Sequence, residues 1–188
     1  MEQTAKTAHH EASHFIAYLL YIASEDGYMD FELIKGPNGF ERKEKRMLVN
    51  LSIVPKEDSW GRLHPTKDVF LAWPESIVKM IIAGPASDFI LSGEADPFSF
   101  LGNRLEEQGD WEGSDSDTLI DLTFGYLSDD STVTDFLHPH FIEVINDLKA
   151  HWETVQFVAN ELIQKEHIEG TELDELAYLT AGKMGIEI

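Results

Sequence analysis

The chain contains no cysteine. This rules out disulfides and thiolate metal sites, so any metal must be held by His, Asp or Glu. Long apolar runs are also missing. The longest, Phe15 to Ala23, is about half of what a bilayer span needs, so no membrane insertion is expected. The start, MEQTAKTAHHEASH, lacks the basic opening and small-residue cleavage site of a signal peptide, and a cytoplasmic location is the default expectation. Basic residues are scarce. Fourteen Lys and Arg face 35 Asp and Glu, for a net charge of −21. Such a charge repels nucleic-acid phosphates and anionic lipid, which argues against both as partners. There is no G-x-x-x-x-G-K-[ST] phosphate loop either, so the chain carries no nucleotide-driven motor of that type.

What is present suffices for one globular domain, residues 1–188. The hydrophobic fraction is 43% over 188 residues, which allows a sizeable core. The acidic charge is concentrated. Between Glu94 and Asp135 there are twelve acidic residues and one basic residue, Arg104. A run of this kind reads as a solvated acidic face, or as a field drawing cations toward a site.

Apolar Phe15, Ile16, Leu19, Leu20 and Ile22 recur at helical spacing, predicting a first helix capped by Thr4 or Thr7 and ending near Ala23. Phe31 to Lys35 and Met47 to Val54 read as strands, separated by the turn Gly36-Pro37-Asn38-Gly39. Pro74 suits the first turn of a helix over Glu75 to Leu91, with Gly84-Pro85 expected to kink or interrupt it. Gly93 to Gly113 reads as a long loop or a short inserted helix. Ser114 to Tyr126 reads as a helix, His138 to His167 as the longest helix, and Glu172 to Leu179 as a closing one. His138-Pro139-His140 suggests a loop leading into a helix with proline at its first position. The expected class is α+β, mainly helical, with a small β-sheet or hairpin packed near the first helix.

His10-Glu11-Ala12-Ser13-His14 is an H-E-x-x-H motif. Residues i and i+4 share one face of a helix about a turn apart, so both imidazoles reach one ion. Zinc suits such a pair and keeps an open position for water. Glu11 neighbours the first ligand without needing to bind the metal, and as a general base it can take a proton from metal-bound water. At this His and Glu content, chance would give roughly 0.04 occurrences of the pattern. His9 lies about 100° round the helix from His10 and is expected to face solvent. Two histidines are too few for a stable site, and spacing alone leaves Glu75, Asp88, Asp96, Asp115, Asp117 and Asp121 open as the third ligand. The H-E-x-x-H-x-x-G-x-x-H extension of metzincins is absent.

The order of motifs resembles the peptidase domain of the FtsH-type ATP-dependent zinc proteases. HEASH at His10 to His14 is similar to that family's HEAGH. Leu51-Ser52-Ile53-Val54-Pro55-Lys56 resembles its V-T-I-I-P-R strand. Ile82-Ala83-Gly84-Pro85-Ala86-Ser87-Asp88-Phe89 and Gly93-Glu94 resemble L-A-G-R-A-A-E-E and G-E. Gly113-Ser114-Asp115-Ser116-Asp117 lines up with G-A-S-N-D, which implies Asp117 as third zinc ligand; Asp115 and Asp121 are, on the residues alone, candidates to orient the ligands. The segments Val158 to Glu166 and Gly170 to Leu173 look like the closing helices. The chain departs from the family by lacking ATPase and membrane parts, and by extra sequence at Ser24 to Lys45 and Ala95 to Glu112.

The resemblance implies a zinc metalloendopeptidase, ATP-independent as an isolated chain, acting on peptides or unstructured protein segments. It further implies a homo-oligomer or a separate ATPase partner. The alternative expectation is a peptidase-like domain without turnover that binds or regulates another protein.

Overall fold

The computed structural model describes residues 3–23, 33–34, 74–106, 115–124, 132–165, 167–168 and 170–188. Seven helices lie among them: α1 (Gln3–Tyr21), α2 (Pro74–Ser92), α3 (Pro97–Glu106), α4 (Asp115–Phe124), α5 (Val133–Ala150), α6 (Trp152–Lys165) and α7 (Gly170–Met184). Two extended pieces, β1 (Leu33–Ile34) and β2 (His167–Ile168), pair antiparallel over two residues each.

The expected α+β class with a small sheet beside the first helix is therefore corrected. The described architecture is helical, and its extended structure is one short pairing of Leu33 with Ile168 and Ile34 with His167. Two residue pairs cannot bury a sheet face, so the core is built by helix on helix. The second expected strand, Met47 to Val54, lies outside the described residues.

Helix α1 is central. From Ala8 to Leu19 every residue is buried except Glu11. A helix covered all round must be surrounded by partners, and α1 packs chiefly on α2 and α6. Helix α2 is almost as enclosed, with Ile77, Met80, Ile82, Ala83 and Ala86 buried, and it packs on α1 and α5. Neither Thr4 nor Thr7 caps α1, since both lie within it. Pro74 does open α2, as its fixed φ favours. The expected break at Gly84-Pro85 does not occur, and α2 runs unbroken to Ser92 with Pro85 inside it. Burial on both sides holds that helix together despite the missing N–H.

Helix α3 starts where Asp96 accepts hydrogen bonds from the backbone N–H groups of Phe98 (3.1 Å) and Ser99 (3.3 Å). Its Phe100 is buried and stacks on Phe141 of α5, centroids 6.2 Å apart, while Phe89 of α2 meets both rings edge-on. The long helix expected from His138 to His167 is two helices. Thr132 and Asp135 form a reciprocal capping box that starts α5 earlier, at Val133. Pro139 is thus interior to α5 rather than at its first position. His151 (φ −111°, ψ 21°) then leaves helical geometry. The bend lets α5 lie on α2 while α6 lies on α1. Among the described residues, no helix is long and apolar enough to cross a membrane.

Candidate metal centre

The centre is assembled from three helices. Helix α1 supplies His10, Glu11 and His14, α2 supplies Gly84 and Asp88, and α4 supplies Asp115. One ligand atom from each of His10, His14 and Asp115 lies within 4.8 Å of the other two. Asp115 Oδ2 is 2.8 Å from His10 Nε2 and 3.3 Å from His14 Nε2. Zinc–nitrogen and zinc–oxygen bonds near 2.0–2.2 Å place tetrahedral donors roughly 3.3 Å apart, so these spacings are of the right size for one small ion.

The far side of each imidazole is already committed. His10 Nδ1 faces Asp88 Oδ2 at 3.1 Å, and His14 Nδ1 faces the carbonyl oxygen of Met80 at 2.8 Å. Both acceptors lack a proton to give, so each Nδ1 carries the hydrogen and donates it. That leaves the Nε2 lone pairs aimed at the Asp115 carboxylate. Lone pairs and a carboxylate repel unless a proton or cation stands between them. Histidine ligands of metals characteristically have this arrangement, with the second ring nitrogen anchored by a carboxylate or carbonyl.

The titration behaviour has the same cause. Burial opposes charging of His10, but Asp88 and Asp115 outweigh it and hold its pKa well above the usual imidazole range. Burial also opposes charging of His14, and Asp115 overcomes it, raising that pKa as well. Asp115 would be raised by burial, yet His14 and His10 hold it far below the usual carboxylate range. Asp88 is likewise lowered against burial by His10 and by Arg104, whose Nη2 contacts its Oδ2. The cluster thus calls for positive charge at the Nε2 side.

Gly84 makes the room. A Cβ built there would overlap the Nε2 atoms of both histidines. The residue is needed for the space it leaves, since its φ is not in the left-handed region. Glu11, the one residue of the central α1 stretch that is not buried, directly follows His10. The histidine side chains are under one-tenth exposed, whereas Asp115, Asp88 and Arg104 are 17%, 20% and 30% exposed. Exposure at the centre thus lies with its carboxylates and Arg104 and not with the histidines.

Several expectations meet the structure here. His10 and His14 come together as the motif predicts. Asp117 lies in α4, two residues past Asp115, with its side chain outside the described residues, as is that of Asp121. The carboxylate described beside the histidine pair is Asp115. His9 is not solvent-facing: it is buried, stacks on Trp152 at 5.7 Å, and donates from Nδ1 to the Ala5 carbonyl at 2.6 Å. With α1 packed on all sides, the face 100° round from His10 is covered by α6. His138 and His140 lie within α5, His138 packing on Phe98 and His140 on Phe136. Asp88 as the anchor of His10 had no sequence signal beyond its place in an open list of carboxylates. The role of Gly84 had none beyond its being a glycine within a helical pattern.

Comparison of the chain with protein-family models, with curated proteins and with solved structures found no match.

Proposed function

We propose that the chain is a zinc-dependent metallopeptidase acting on peptides or unstructured protein segments, with an FtsH-type arrangement of its site. The observation that carries this reading is the convergence of His10 Nε2, His14 Nε2 and an Asp115 oxygen, with both Nδ1 atoms already engaged elsewhere. His10, His14 and Asp115 would hold the ion. A bound zinc would lower the pKa of a water and polarise the scissile carbonyl. Glu11, next to the first ligand and half-buried, accepts the proton from the attacking water and returns it to the departing amine. Asp88 and the Met80 carbonyl hold the imidazoles in the tautomer that ligation requires. No residue of the chain forms a covalent intermediate.

Two measurements test the reading in sequence. Elemental analysis of purified protein should find about one zinc per chain, lost in His14→Ala and Asp115→Asn. The carboxylate implied by the family order is tested beside them, and Asp117→Asn should keep its zinc. Glu11→Gln should then retain metal and lose cleavage of an unstructured peptide. Zinc without any cleavage by the wild type would turn the reading to a metal-stabilised binding domain.

A further inference from the structure

Helix α3 brings the only basic residue of the acidic stretch to the edge of the centre. Arg104, in its last turn, contacts Asp88 Oδ2 through Nη2, and that same oxygen receives the His10 Nδ1 proton. The backbone of Arg104 is tied as well. Its carbonyl oxygen accepts a long hydrogen bond from Ser116 Oγ (3.4 Å), and Ser116 is buried and directly follows Asp115. One residue of α3 thus touches the anchor of one histidine on α2 and the neighbour of the third ligand on α4. The guanidinium stem is steadied in turn, lying 6.0 Å from the ring of Phe100, which is locked between Phe89 and Phe141.

We infer that Arg104 is a positioning residue, a clasp by which α3 sets the Asp88 and Asp115 carboxylates around the histidine pair. Three points support it. Asp88 shares one oxygen between two donors, so Arg104 fixes from α3 the carboxylate that His10 also contacts. Asp115 is placed by how α4 docks, chiefly on α2 and also on α3 and α5, so α3 contributes to that docking. Finally, a lone cation amid twelve acidic residues neutralises charge at the one place where two carboxylates crowd a pair of imidazoles. The role rests on the metal-centre reading above and specifies what maintains that centre.

The test is zinc affinity by competition with a chromophoric chelator, for the full chain and the variants Arg104→Ala, Arg104→Lys, Asp88→Ala and Arg104→Ala/Asp88→Ala. Removing a partner of a ligand typically weakens metal binding about 10–100-fold; that loss is expected for Asp88→Ala, and Arg104→Ala, acting through Asp88, should show a measurable loss of at most that size, with Arg104→Lys between it and the wild type. In the Asp88→Ala background, Arg104→Ala should have less than about a tenth of its effect, because its target is gone. A second readout needs no metal. The His10 Nδ1 proton should be seen in slow exchange in the ¹⁵N-histidine spectrum of the metal-free protein and be lost in Arg104→Ala. Zinc binding by Arg104→Ala equal to wild type, or equal losses in both backgrounds, overturns the clasp and leaves the centre standing. A wild type that binds no zinc overturns the centre and the clasp together. Should Arg104→Ala fail to fold, Arg104→Lys and Ser116→Ala carry the comparison.

Discussion

Substituting Gly84 by alanine separates space from stability at the centre. The methyl would occupy the gap between His10 Nε2 and His14 Nε2, where a real Cβ cannot sit unmoved. Two opposing effects act on the metal-free fold. Alanine favours a helix interior by about 0.5–1 kcal/mol over glycine, and overpacking a tight interior costs about 1–3 kcal/mol. The net destabilisation is therefore about 0–2.5 kcal/mol, and for a chain of this size the melting temperature falls by up to ~10 °C. The metal is affected far more. Both rings must swing away from the methyl, so both Nε2 atoms leave the spot that Asp115 faces. Loss of more than about 100-fold in zinc affinity follows, beyond the range seen for partners of ligands. Chelator competition at neutral pH measures it, alongside a thermal melt of the metal-free protein. A Gly84→Ala protein that folds and binds zinc as tightly as wild type would falsify the placement of α2 against the histidine pair.

Other outcomes are equally specific. Glu11→Gln should lower peptide cleavage by about 10²–10⁴-fold with zinc content unchanged, which a discontinuous assay on a fluorogenic peptide reads directly. In the metal-free protein, the raised pKa values of His10 and His14 stabilise the fold fully below about pH 6.5 and lose that contribution as pH rises through the folded values. Lowered Asp88 and Asp115 contribute above about pH 4 and are lost as pH falls. Metal-free stability in chemical denaturation should thus be greatest between these limits, while zinc affinity moves the other way and climbs with pH as protons leave the ligands. Calorimetry in buffers of different ionisation heat should detect proton release on zinc binding at pH 7, and an absence of release would contradict the raised histidines. Phe141→Ala removes a fully buried ring from the α2–α3–α5 contact and should cost about 3–5 kcal/mol in denaturant unfolding. Thr132→Ala breaks the capping box of α5 and should cost about 0.5–2 kcal/mol by the same assay.

The sequence alone determined the part of this protein that is local. His10 and His14 on one face of α1, with Glu11 beside them, follow from 3.6 residues per turn and from an apolar pattern that ensured a helix there. The opening of α2 at Pro74 was legible for the same kind of reason, because proline acts on its own φ. What depended on distant partners was not legible. The short extended pieces could not be told from a sheet, since β-forming residues specify a strand only when neighbours pair with it along its length. The bend at His151 is invisible in a continuous apolar period, and it exists because α5 and α6 must lie on different helices. Pro85 looked like a breaker until burial on both sides held its helix together. The site divides along the same line. Which acidic residue meets the histidines depends on how α4 docks, and a sequence rich in carboxylates offers many equal candidates. The space at Gly84, the Asp88 anchor and the Arg104 contact came only from tertiary structure, because each is a close approach between separate helices whose docking no local pattern encodes.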